Sequence, residues 1–323
     1  MNTQSKKINV KRLLLSQVVL VSLILFIVVI SVFFPAFLQG DNIRNIFMDM
    51  SIYGVVACGM TVLIICGEFD LSSSSQYMWA SILFVTLLNK VPVPIAILGV
   101  IASGMIWGAI NGILVTRFKV NSFTATLGTM IIIRSICLLF TDGKMVSTDN
   151  EFIKSFGNAT WLGLSSLTYV YIAVLVVISV MLAYTNFGRR IYATGGNIEV
   201  ARLAGIKVQR YKFATFVIMG ILCAIGGMML VSMLRAGSTQ YGTDIALTCV
   251  AATVIGGTSL SGGSGNVVRT FLGMLVINVL YKALIFLGLQ AYYQSLVKGI
   301  VLIAVVVLDA YISQSSKARK VSA

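Results

Sequence analysis

Long apolar runs separated by short polar punctuation, with little alternation inside the runs, set the pattern of this chain. The runs cover residues 13–34, 46–66, 76–88, 95–115, 123–140, 167–184, 213–234, 245–255, 267–286 and 292–310. About 20 consecutive apolar residues make a membrane-crossing helix, so the pattern predicts an all-α integral membrane protein with about ten transmembrane helices. The punctuation is that of helix ends: Pro35 and Gly40-Asp41, Asn89-Lys90 ahead of two prolines, Arg117 and Lys119. The first run is too long for a signal-peptide core, and no A-x-A cleavage pattern follows it. The run at 245–255 is short for a crossing. It either continues into the glycine-rich residues after it or forms one half of a broken helix.

Composition agrees with the pattern. The chain is 58% hydrophobic and 11% charged, where soluble domains carry roughly 25% charged residues. Ten spans consume about 200 positions, which leaves short loops and a single transmembrane domain over residues 1–323. The net charge of +14 is read as topology rather than nucleic-acid binding, because cytoplasmic loops collect Lys and Arg. Alternating the spans from a cytoplasmic N-terminus puts sixteen bases inside and five outside, with Arg134, Lys282 and Lys298 within spans. Both termini are then cytoplasmic. There is no histidine, which removes imidazole bases, proton relays and His metal ligands. The five cysteines lie in or beside apolar runs without CxxC spacing and read as small buried hydrophobes. No metal and no cofactor are expected.

One polar segment stands apart. Residues 186–212, NFGRRIYATGGNIEVARLAGIKVQRYK, carry Arg189, Arg190, Arg202, Lys207, Arg210 and Lys212 against the single acid Glu199. Charge counting places the segment in the cytoplasm. Gly195 and Gly196 predict a tight turn, Asn197 an N-cap, Glu199 a first-turn acid facing the helix dipole, and Gly205 a left-handed C′ residue. A helix of about two turns over 197–204 follows, with Val200, Leu203 and Ala204 forming one small apolar face. Two readings stand for it: a knob that docks on a soluble protein, or a loop whose bases only fix topology.

Two interruptions share a spacing. Gly67, Leu71, Ser72 and Ser75 recur as Gly256, Leu260, Ser261 and Ser264, each set after an apolar run. Glycine-interrupted hydrophobic segments in corresponding places point to an internal repeat and a transport site; composition alone also generates such matches. Span counting puts both on the same side, which is awkward for an inverted repeat. Glu68 and Asp70 are either pathway or gate residues paired with a base (Arg134, Lys282 or Lys298) or ordinary helix-end acids. Ser72, Gly256 and Gly257 complete the pathway candidates. The run Gly256–Gly265 lacks the lysine of a Walker A sequence, and no such sequence occurs in the chain, so the chain does not hydrolyse ATP in that way.

The stretch Gly188-Arg189-Arg190-Ile191-Tyr192-Ala193-Thr194-Gly195-Gly196-Asn197, followed by Ala201-Arg202-Leu203-Ala204-Gly205-Ile206, resembles the cytoplasmic coupling loop of bacterial ABC sugar importer permeases of the ribose/xylose/arabinose type. Asp70-Leu71-Ser72 resembles that family's G-x-D-L-S-V-G-S element, and Gly256–Gly263 its late glycine-rich element. The resemblance covers nearly the whole chain. It implies a permease subunit that works in a homo- or heterodimer with two cytoplasmic ATP-binding cassette subunits and a periplasmic sugar-binding protein, and it implies that the helix at 197–204 couples to the ATPase through Gly195, Gly196, Asn197, Glu199, Ala201, Arg202 and Gly205. It departs from the family where Glu68-Phe69-Asp70 replaces Gly-Ile-Asp and where Ser72–Ser75 replaces Ser-Val-Gly-Ser. From a different class, a secondary transporter with Glu68 and Asp70 as proton or sodium carriers is the alternative. A membrane-embedded enzyme lacks any convergent nucleophile and base.

Overall fold

The computed structural model describes residues 23–290, 292–297, 299–301, 303–304 and 307. Its helices are α1 (Leu23–Phe33), then α2 (Gly40–Ile65), α3 (Ser73–Leu88), α4 (Val93–Thr116), α5 (Ser122–Thr141), α6 (Glu151–Asn158), α7 (Ser166–Tyr184), α8 (Asn186–Gly196), α9 (Ile198–Leu203), α10 (Val208–Leu234), α11 (Ile245–Ile255) and α12 (Val267–Phe286). Residues 292–297 are also helical. Among the described residues strand is confined to two short antiparallel pairs, β1 (Val146–Ser147) with β4 (Ala236–Gly237) and β2 (Thr160–Trp161) with β3 (Leu164–Ser165).

Among the described residues six helices, α2, α4, α5, α7, α10 and α12, are long and apolar enough to cross a membrane. The predicted all-α character holds. Helix α3 has 16 residues and α11 has 11, each shorter than a full crossing. Residues 13–22 of the predicted first span and residues 298, 302, 305–306 and 308–310 of the predicted last span lie outside the described residues.

Helix α2 is the axis of the bundle. In its most apolar stretch 83% of residues are buried, against 22% in α4 and 28% in α5. A helix apolar all round belongs in a core, whereas α4 and α5 turn apolar side chains such as Leu98, Ile106, Ile131 and Leu139 outward, as lipid contact requires. Helices α4 and α10 press together through small residues. A Cβ on Gly104 would fall 2.4 Å from the Gly220 carbonyl, and one on Gly108 would fall 2.4 Å from that of Phe216. With Gly112, this is the small-xxx-small spacing that lets membrane helices approach backbone to backbone.

The short run at 245–255 is resolved as a broken helix. It stops at Ile255, and Gly257 takes a left-handed φ of +82°. Its other half is not helical: residues 236–244 run beside α3, with Gly237 against Ile82 and Gly242 against the Tyr77 ring, and the Ala246 amide donates to Ser74 Oγ at 3.0 Å.

Gly108→Leu is expected to wedge α4 from α10 and cost well over the 1–3 kcal/mol of ordinary overpacking, since backbone rather than side chain stands in the way. Fluorescence-detected size-exclusion chromatography in detergent should show the folded peak lost, while Gly128→Leu, where a Cβ meets nothing within 4 Å, should retain it.

Candidate functional site

At one end of the bundle three segments from distant parts of the chain meet: the end of α2, the end of α8 and the glycine-rich residues after α11. Gly195 is packed so closely that a Cβ there would sit 1.8 Å from the Ile65 carbonyl and 2.8 Å from the Gly263 nitrogen. The Gly263 amide donates to Ile65 O at 2.8 Å. A Cβ on Gly263 would lie 2.4 Å from Gly196 Cα, and one on Gly262 would lie 3.1 Å from Gly67 Cα. Tyr192 on α8 donates its hydroxyl to the Gly265 carbonyl at 2.9 Å. Burial raises the Tyr192 phenol above its ordinary range.

This corrects the expected turn at Gly195-Gly196. Both residues end α8, a helix that the sequence reading did not assign, and they serve close packing; the chain changes direction at Asn197, whose φ is −161°. The rest of the segment forms as its residues dictate. Asn197 Oδ1 accepts from the amides of Glu199 (3.0 Å) and Val200 (3.1 Å). Gly205 has φ +78°, with Gly205 N donating to Arg202 O and Ile206 N to Ala201 O. Glu199 and Arg202 pair at 3.0 Å on the exposed side. Ala201 is buried, whereas Val200 is 60% and Leu203 89% exposed. Helix α9 therefore grips the body through Ala201 and presents its small apolar face outward.

The first break, between α2 and α3, is buried. Glu68 is 6% exposed and pairs with Lys212 at the start of α10. Its partner is thus none of the three intraspan bases considered. Lys282 pairs with Asp49 at 2.7 Å, Arg134 lies exposed on α5, and Lys298 falls outside the described side chains. Among the described residues Asp70 takes no base. It accepts from Ser72 Oγ at 2.5 Å and Gln76 Nε2 at 3.0 Å. Ser72 Oγ in turn accepts from Asn111 Nδ2 at 2.8 Å, and Thr129 donates to Asn111 Oδ1 at 2.7 Å. These bonds tie the break to α3, α4 and α5. A buried carboxylate needs such partners to offset desolvation.

Both departures from the family's first element have structural uses. The additional acid Glu68 reaches Lys212, and Ser74, standing where the family has glycine, accepts the Ala246 amide at the start of α11. The two breaks also share a helix cap. Gly67 N donates to Ile64 O and Glu68 N to Leu63 O, just as Gly257 N donates to Val254 O and Thr258 N to Thr253 O. The structural match pairs Gly67 with Gly257, one residue off the sequence match with Gly256. Gly256 packs on the start of α12, where a Cβ would meet Arg269 O at 2.6 Å, and Gly257 faces open space; contact with α8 belongs to Gly262, Gly263 and Gly265.

Comparison with known proteins gives a consistent family. The family described as branched-chain amino acid transport system / permease component matches residues 42–306. The ribose import permease protein RbsC of Bacillus subtilis is 36% identical over 96% of this chain and 97% of its own length. RbsC of Haemophilus influenzae is 34% identical over 97% and 98%. The L-arabinose transport system permease protein AraH of Escherichia coli is 32% identical over 87% and 86%. No solved structure matches. The resemblance carried by the three sequence elements therefore extends across the chain, which belongs to the branched-chain amino acid transport system / permease component family of multi-pass membrane proteins.

Proposed function

We propose that this chain is the membrane-spanning subunit of an ATP-driven importer in the bacterial inner membrane, carrying a monosaccharide handed over by a periplasmic binding protein. It works as a pair with a second permease subunit and two ATP-binding cassette subunits. The short helices α1, α3, α11 and the one beginning at 292 join the six long ones in about ten spans. The basic end, which carries α8 and α9, faces the cytoplasm.

The observation that carries this reading is the pairing of an outward apolar knob with a rigid inward anchor. Val200 and Leu203 are exposed on α9, while α8 beside it is seated on both helix breaks by backbone contact at Gly195 and Gly263. A push on α9 cannot be absorbed by side-chain rearrangement at that contact. It moves the ends of α2 and α11 together, and through the Glu68–Lys212 pair it moves α10 as well. ATP binding by the partner subunits supplies the push; the spans change their opening in response. Selection rests with the binding protein, so the permease needs only weak contacts with sugar. Glu68 is committed to Lys212 and Asp70 to Ser72 and Gln76, which disfavours both as ion carriers.

Leu203→Asp places a charge in the docking face without touching the packed side of α9. Co-purification of the ATP-binding subunits and sugar uptake are expected to fall about tenfold or more, as loss of an interface hot spot does, with the detergent-solubilised fold unchanged. Uptake should persist when an uncoupler is added while ATP is held constant; collapse under those conditions would favour an ion-coupled transporter.

Lys212→Met leaves Glu68 buried without its counter-charge and is expected to cost about 3–5 kcal/mol. The double variant Glu68→Gln/Lys212→Met should recover most of that stability in thermal unfolding, yet transport should remain slow if the pair links α10 to the first break.

A further inference from the structure

A cavity of about 360 Å³ lies where α11 begins, between α11, α12 and the helical residues after 292. It is separate from the glycine contact at the basic end. Helix α11 has 11 residues and rises about 16 Å, roughly half of the ~30 Å hydrocarbon thickness. Its C-terminal end is fixed at the basic end by Gly256 and the residues that follow, so its N-terminal end stands near half-depth. The segment before it descends along α3 from Ile82 to Ser74, about 12 Å at 1.5 Å per residue. Non-helical backbone at membrane depth occurs where it is packed in protein or lines a polar cavity, and helix ends of this kind at half-depth hold substrates in transporters.

The lining is chemically mixed in a particular way. Thr243, Asp244, Thr248, Tyr281 and Ser295 supply oxygen, and the remainder is aliphatic or glycine. Asp244 is the residue that precedes α11, Thr248 stands one turn further on, and Tyr281 of α12 lines the same cavity. The carboxylate accepts from hydroxyls and the surrounding side-chain hydroxyls both accept and donate, while aliphatic surface receives C–H faces. That is the complement of a small neutral polyol. Among the described residues the one charged group in the lining is the Asp244 carboxylate, which repels an anionic ligand. The volume lies at the small end of the roughly 300–1,000 Å³ of small-molecule sites, which suits one monosaccharide.

We propose that the cavity at the start of α11 is a transit site for a single neutral monosaccharide, with Asp244, Thr248 and Ser295 as its hydroxyl partners. The proposal rests on the permease reading above and adds to it the place where the sugar pauses between the two faces of the membrane.

The test is uptake of radiolabelled D-ribose and L-arabinose into proteoliposomes containing the complete importer with its binding protein. Asp244→Asn and Ser295→Ala are each expected to reduce transport of the accepted sugar about tenfold, the factor that corresponds to losing one hydrogen bond to a charged or buried partner. Leu247→Trp, at a lining residue that is 49% exposed, should block transport by filling the cavity. ATP hydrolysis stimulated by the loaded binding protein should persist in all three, which separates loss of a sugar site from loss of folding or coupling. Normal uptake by all three variants would overturn the site while leaving the permease reading intact. Failure of the unaltered importer to take up either sugar would overturn the sugar-permease reading and the site with it.

Discussion

The architecture depends on one steric condition: at three places in the chain no side chain may stand between backbones. Gly195 lies against Ile65 and Gly263 at distances that exclude even a methyl group. Segments more than 60 residues apart are thereby held in contact backbone to backbone, at the edge of the main apolar cluster that holds Ile64, Ile65 and Ile191. Side-chain packing is deformable at the cost of rotamer changes, whereas backbone in contact with backbone is not. The contact therefore behaves as a joint that passes displacement on. Around it, the Tyr192 hydroxyl and the Gly263 amide add directional bonds that fix its register.

The polar groups of the first break explain why such a joint survives inside a lipid-adapted protein. Unpaired, Glu68 and Asp70 would each cost several kcal/mol. Lys212 offsets the first, and the chain of hydrogen bonds from Ser72 through Asn111 to Thr129 offsets the second. Neither arrangement adds much net stability, because buried charges seldom do. What both contribute is specificity of position: each partner sits on a different helix, so the break has one low-energy place among α3, α4, α5 and α10.

Much of this was legible in the sequence. Apolar runs located the long helices, although α2 and α10 begin about five or six residues ahead of their runs and the polar helices α6 and α8 lie in none; the caps of α9 follow from Asn197 and Gly205 as their local chemistry requires. The role of Gly195-Gly196 was misread because a glycine pair has the same signature in a turn and in a close approach; only the third dimension separates them. Lys212 was passed over as a partner for Glu68 because only bases inside apolar runs were weighed, and no sequence pattern says which distant side chains meet. The same limit hid Asn111 and Thr129. By contrast, the Gly104, Gly108 and Gly112 spacing was present in the sequence as a small-xxx-small signal and carried the α4–α10 contact. The near-repeat of the two breaks was one residue out of register, since matching letters aligned Gly67 with Gly256 while the helix cap requires the left-handed residue, Gly257.

The extended segment ahead of α11 bears on how the protein is made. Its amides and carbonyls cannot be left to hydrocarbon. Val146 and Ser147 pair with Gly237 and Ala236, Ser74 meets the Ala246 amide, and α3 shields the length between. All of these partners are synthesised first. Residues 236–244 can leave the insertion machinery only onto a surface already assembled from α3 and the β1 loop, so the order of translation is also the order in which this part of the protein becomes compatible with the bilayer.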